Sequence, residues 1–196
     1  MKRLMMVLAV LAVHSGVKAD DLSDMKKEIE ALKRDVAELK VRVLGETEAR
    51  ADRKDRIRKR FDEDKKAYSA EQFREIETLY QSANRDLKNP EAKAALKALI
   101  EKYPKANRTG CAVQYIGQMS QGEEQETYLK LAIKDFSDCY YGDGVQVGAY
   151  ARFCLGSHYK EIGKDKEAKA LFDEIRKDYP DAVNHKGKPL AELLPN

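Results

Sequence analysis

Tryptophan is absent from this chain, cysteine and histidine occur only three times each, and no long apolar run is present. So few thiols and imidazoles leave little scope for metal or thiol chemistry, and no cofactor is expected. The longest apolar run, Leu4 to Val13, holds ten residues, well short of the ~20 that a membrane-spanning helix needs. Nucleophile motifs, glycine-rich phosphate loops and isolated carboxylate pairs are also missing. So is a strong excess of one charge: 37 Lys and Arg face 34 Asp and Glu, for a formal net charge of +3. What the 196 residues do contain is charge in quantity, 36%, beside 42% hydrophobic side chains. That is too much charge for a membrane protein and too much apolar content for a disordered one.

Residues 1–19, MKRLMMVLAVLAVHSGVKA, have the plan of a secretory signal peptide. Lys2 and Arg3 make the positive start, Leu4 to Val13 the apolar core, and Val17-Lys18-Ala19 the small-x-small cleavage site before Asp20-Asp21. No cysteine follows that site, which argues against a lipid anchor. Cleavage would remove three of the 37 basic residues and none of the 34 acidic ones, leaving a formally neutral chain. The basic excess that hinted at nucleic acid therefore belongs to the signal, and no nucleic-acid partner is expected. The expected location is periplasmic or otherwise secreted, with no stable membrane span after cleavage.

Residues 20–45 read as a coiled coil. Leu22, Met25, Ile29, Leu32, Val36, Leu39 and Val43 follow one another at alternating steps of three and four, the 3.5-residue period of a helical seam. Glu28 and Lys33, then Asp35 and Lys40, occupy g and following e positions, where parallel partners bring opposite charges together. Beta-branched Ile29, Val36 and Val43 at a, with Leu32 and Leu39 at d, lean towards a parallel dimer. Residues 46–68 read as a charged helical linker, a solvated spacer in which Ile57 and Phe61 are the only large apolar side chains of 46–67. A basic patch of Arg53, Lys54, Arg56, Arg58, Lys59 and Arg60 for anionic polymers is the sharper alternative, weakened by the interleaved acids.

Self-comparison exposes a repeat in residues 69–182. EAKAALKALIEKYP at 91–104 returns as EAKALFDEIRKDYP at 167–180, and EQETYLKLAIKDFSD at 124–138 lies between them. Each copy has helical periodicity and a helix before it. Ser69 with Gln72 makes a capping box, Asn89-Pro90 caps and starts a second helix, and Gly163 ends another. Tyr-Pro closes the unit, since proline cannot continue a helix. The predicted fold is all-α: an N-terminal coiled-coil helix, then a short α-solenoid of three antiparallel helix pairs. Residues 183–196, with Leu190, Leu193 and Leu194, are expected to cap its last face.

The stretch from Ala149 to Pro180 closely resembles a tetratricopeptide repeat, with Leu155-Gly156, Tyr159, Gly163, Ala168, Phe172 and Pro180 at the signature spacing. Arg152 stands where that family prefers a large aromatic, and Tyr80 of the first unit stands where glycine is usual. The whole plan of signal, short coiled coil, charged spacer and C-terminal repeats is similar to the periplasmic cell-division coordinators associated with the Tol-Pal system. That resemblance implies a trimeric coiled coil, against the dimer lean of the a and d residues, and a role linking envelope constriction to wall synthesis. By family register, Tyr150, Phe153, Ser157 and Lys160 face the inner surface of the array, joined by Gln114 and Gln118 of the middle unit, as candidate contacts for a protein partner. The alternative is that Tyr150 and Phe153 pack on the Tyr140-Tyr141 loop or the C-terminal tail.

Two thiol readings complete the inventory. Cys111 and Cys139 fall at the same end of the middle helix pair, where a disulfide is geometrically allowed. Cys154 and His158 are four apart on one helix, a spacing for two metal ligands or for the chemistry of an accessory or wall-active enzyme subunit. A small buried thiol and a surface imidazole explain that pair more simply, so the reading is a non-enzymatic adaptor without a metal.

Overall fold

The computed structural model describes residues 19–84 and 89–195. The expected signal lies outside the described residues except for Ala19, and so does the side chain of Leu22. Among the described residues seven α-helices follow in order: α1 Ala19–Ala67, α2 Ala70–Asn84, α3 Pro90–Lys102, α4 Asn107–Met119, α5 Gly122–Asp135, α6 Val147–Glu161 and α7 Asp165–Asp178. None of them is long and apolar enough to cross a membrane. The chain forms two compact units, residues 1–49 and 50–196, and α1 contributes to both.

In the first unit α1 is the one described element. Its heptad positions Met25, Leu32, Val36, Leu39 and Val43 are all exposed, Leu32 to 61%, while Ile29 is half-buried. Exposed (i, i+3) pairs such as Lys27 with Asp24, at 2.9 Å, decorate the helix. Each contributes only tenths of a kcal/mol, so the stripe lacks a covering surface within its own unit.

The second unit is the all-α solenoid that the periodicity predicts. The pairs α2/α3, α4/α5 and α6/α7 are helical hairpins, and each stacks on the next. Local chemistry sets the starts. Ser69 Oγ accepts from the Gln72 amide at 3.2 Å while Gln72 Oε1 accepts from the Ser69 amide at 2.9 Å. Asn89 accepts from the Glu91 amide ahead of Pro90. Gly163 ends α6 with φ +77, a left-handed turn that a side chain would disfavour. Close crossings need small residues as well. A Cβ on Gly156 would come within 2.5 Å of the Phe172 ring.

All three units leave by the same turn. The amides of Tyr103, Phe136 and Tyr179 bond to the carbonyls four residues back, and those of Ala106, Cys139 and Ala182 bond to the carbonyls of these aromatics, each at 3.1 Å. The middle unit thus keeps the exit geometry although it ends in Ser137 rather than proline. The second and third turns continue into matching hairpin loops: the Val147 amide reaches Cys139 O, and the Leu190 amide reaches Ala182 O. Gly144 at φ +95 and Gly187 at φ +74 close these loops. Leu190 therefore takes the place of Val147, and the 3-10 turn Leu190–Leu193 stands where another first helix would begin. Leu190 and Leu194 are buried, but Leu193 is exposed, so two of the three expected capping leucines cover the face. Arg152 compensates for its missing aromatic: its guanidinium lies 5.0 Å from the centre of the Tyr179 ring and bonds to Glu174 at 2.7 Å.

From Arg50 onward α1 is not the solvated spacer expected at 46–68. One face of it crosses the exit loops of all three units. Arg53 donates to the Asp181 carbonyl, and Arg56 pairs with the Asp181 carboxylate and reaches Tyr140 Oη at 3.3 Å. Arg60 donates to Lys105 O at 2.8 Å and to Asp64 at 2.6 Å. Asp64 in turn accepts the Asn107 amide at 2.8 Å, serving the first turn of α4. Asn107 passes the contact on, exchanging two hydrogen bonds with the Tyr140 backbone at 2.8 and 2.7 Å. Three of the six basic residues that could have formed a patch for anionic polymers, Arg53, Arg56 and Arg60, are thus spent on loop carbonyls and carboxylates, and Arg58 pairs with Asp55 at 2.8 Å.

Candidate protein-binding groove

The first helices of the three units, α2, α4 and α6, stand side by side. Tyr80 and Gln81 of α2, Arg108, Tyr115 and Gln118 of α4, residues 141–143 of the second exit loop and His185 of the third line a cleft of about 460 Å³. Pockets of ~300–1,000 Å³ are the usual size for ligand sites. Every unit contributes, so the cleft exists only when the array is stacked.

The charges on this surface are already engaged. Arg108 donates two hydrogen bonds to Glu77, at 2.6 and 3.2 Å. Its guanidinium also lies 4.6 Å from the centre of the Tyr80 ring and 5.4 Å from that of Phe61 on α1. His185 Nδ1 stands 2.7 Å from Asp143 Oδ2, latching the two hairpin loops together. Burial pushes the phenols of Tyr80, Tyr115 and Tyr141 above their ordinary pKa.

The residues singled out from sequence divide into several groups. Gln118 lines the cleft. Tyr150 and Phe153 stack at 6.0 Å with their planes 14° apart, and Tyr150 also meets His185 edge-on at 4.9 Å, so they extend the aromatic surface beyond His185. Gln114 is fully buried instead of facing a partner. Its Oε1 meets the Tyr141 hydroxyl and its amide lies 3.8 Å from Cys154 Sγ. Ser157 donates to the Phe153 carbonyl at 2.8 Å. Lys160 pairs with Asp165 at 2.7 Å and lines a separate cavity of about 320 Å³ with Phe172 and Arg176. Of the inner-surface set, Gln114 is thus withdrawn into the core, while Gln118 lines the cleft. Tyr150 against His185 matches the alternative in which these aromatics pack on the C-terminal tail, and no register in the sequence points to Tyr115 as part of the lining.

The thiols have structural roles. Cys111 and Cys139 are both free and buried, so the allowed disulfide is not formed in this structure. Cys139 occupies the position of Ala106 and Ala182 in the repeated exit turn, which explains a small buried residue there. Cys111 Sγ donates to the Tyr140 carbonyl at 3.4 Å. Burial pushes Cys139 and Cys154 up to about 12 and raises Cys111 as well, which suppresses the nucleophilic thiolate. The partners of Cys154 are the amides of Gln114 and Gln118, while His158 Nε2 lies 3.6 Å from Glu126 Oε1. The two residues form neither a ligand pair nor a thiolate–imidazole pair. Among the described residues no group of three or more His, Cys, Asp or Glu could hold a metal ion.

A family model for the tetratricopeptide repeat matches residues 77–106 and 150–182. Those two stretches are each similar to a tetratricopeptide repeat. They correspond to most of the first unit and to the third, and repeats of this kind generally build protein-binding surfaces rather than catalytic ones. Neither the curated proteins nor the solved structures gave a match to this chain.

Proposed function

We propose that this protein is an exported, non-enzymatic adaptor that self-associates through residues 22–43 and holds a protein partner in the groove of its repeats. The observation that carries the reading is the groove itself: an aromatic cleft assembled jointly by three stacked units, two of them matching tetratricopeptide repeats. Self-association is supported by the uncovered heptad stripe. A parallel partner pairs Glu28 with Lys33 and Asp35 with Lys40, whereas an antiparallel one sets Lys26, Lys33 and Lys40 against one another. The plan of signal, coiled coil and repeats favours the cell envelope, in a maintenance or division role like that of the Tol-Pal-associated coordinators.

Site-specific photocrosslinking in intact cells tests it. A benzophenone side chain at Gln118 should give a defined protein adduct, and the same group at exposed Lys169 should not. Equal labelling from both positions, or none from Gln118, would sink the adaptor reading.

A further inference from the structure

We propose that α1 carries a hinge in the turn Val43–Thr47, where the helix opens and bends between its seam and its docked stretch. Three observations meet in that turn: a glycine that packing does not ask for, a side chain that loosens the backbone ladder, and a lack of anything buried.

The glycine comes first. Gly45 lies deep inside a helix of 49 residues, where glycine is among the weakest helix formers because its backbone has the most freedom to lose. The glycines inside the repeat helices are there for room. A Cβ added to Gly110, Gly117, Gly148 or Gly156 would meet a neighbour at 2.5–2.9 Å. A Cβ on Gly45 would meet nothing within 4 Å, and Gly45 is not among the glycines with positive φ. Neither a close crossing nor a left-handed turn requires it. What it does bring is a weak point.

Thr47 acts on the same turn. Its hydroxyl donates to the Val43 carbonyl at 2.8 Å, the acceptor that an α-helix offers to the Thr47 amide. A hydroxyl returning to the carbonyl four residues back weakens a helix and bends it. Thr78 and Ser157 make the same bond, but in helices that neighbouring helices clamp. Around Gly45 no such clamp exists: residues 43–48 are all exposed, Leu44 to 64% and Val43 to 56%. Opening this turn therefore separates no buried side chain.

Its place in the chain agrees. The turn begins at Val43, the last residue of the seam, and ends before Arg53, which donates to the Asp181 carbonyl. The two compact units meet at residues 49 and 50. On the adaptor reading, a helix that yields here lets a second copy grip the seam while the repeats turn to meet their partner.

Pulsed electron–electron double resonance on the full chain tests the hinge. Nitroxides attached through p-acetylphenylalanine at Glu38 and Lys54, both exposed, are sixteen residues apart, about 24 Å in an unbroken helix. Excess unlabelled chain keeps labels on different copies from meeting. The native chain should give a broad distribution reaching well below that distance, and Gly45→Ala with Thr47→Ala should narrow it around ~24 Å. Amide exchange at 44–48 should slow about fivefold in Gly45→Ala, with exchange in α4 unchanged. A narrow distribution in the native chain, equal widths in native and variant, or unaltered exchange at 44–48 overturns the hinge. The photocrosslinking result at Gln118 bears on the adaptor reading alone, so the two stand or fall separately.

Discussion

Residues 19–49 and 50–67 belong to one helix and are both rich in charge, yet they treat their side chains in opposite ways. In the first stretch the apolar residues face solvent, with Leu32, Leu39 and Val43 each half or more exposed. In the second a carboxylate is the buried group: Asp64 retains 2% of its surface, and the Arg60 side chain beside it 12%. Burial follows partners, not polarity. Asp64 is tolerated because Arg60 and the Asn107 amide both reach it, whereas the heptad residues have no partner in their own unit. Buried ion pairs stabilise little in total, but removing one member is severe because the other charge stays behind.

That contrast predicts the largest effect first. Asp64→Ala should cost ~3 kcal/mol of second-unit stability, since it leaves the Asn107 amide without its acceptor and Arg60 without its closest carboxylate, though Arg60 keeps the Lys105 carbonyl. Glu38→Ala, an exposed carboxylate of the first stretch, should cost no more than ~0.5 kcal/mol. Urea unfolding measures both, and similar values would mean that residues 50–67 are a spacer after all.

A smaller effect is pH-dependent. Glu126 accepts from Lys130 at 2.7 Å, Tyr159 at 3.0 Å and Lys164 at 3.2 Å. These contacts, with that of Lys130 the strongest, hold its carboxyl down at about 2 against an ordinary 4.5. Because the folded-state pKa is the depressed one, this stabilisation is complete above about pH 5 and is lost as pH falls towards 2. Melting temperature should fall across that window in the native chain, and the Glu126→Gln chain should show a shallower acid limb.

Cys139→Ala should change stability by less than ~1 kcal/mol, because alanine already fills the same place in the other two exit turns. A much larger loss, or a shift confined to non-reducing conditions, would reveal a bond to Cys111. The smallest expected effect on folding belongs to the seam. Leu32→Ser with Leu39→Ser should leave second-unit unfolding within ~0.5 kcal/mol of native while lowering the sedimenting mass to that of a monomer. Unchanged mass would show that the stripe is not the association surface.

The sequence disclosed its helices and unit ends well because the signals were local. Ser69 and Gln72 cap within one turn, and the aromatic that begins each exit turn bonds four residues back. Site residues were harder. The inner-surface register set Gln114 on a surface that the loop residue Tyr141 covers. Nothing in a tyrosine-glycine-aspartate loop says that it will fold back over α4. The third unit was read most accurately because it resembles the family best. Tyr80 falls on the apolar face that the periodicity of α2 predicts, and its ring is also a wall of the groove.

By itself, then, the sequence determined what short-range physics governs: helix starts and stops, the heptad stripe of 22–43 and a threefold repeat of helix pairs. Only the tertiary structure decided which polar groups are spent and which remain available. The deciding contacts join residues far apart in the chain, such as Arg60 with Lys105, Asn107 with Tyr140 and Arg56 with Asp181. No periodicity within one helix encodes them. Such contacts form only where separate loops converge, and that convergence made a structural face out of a charged helix and a groove out of three exit turns.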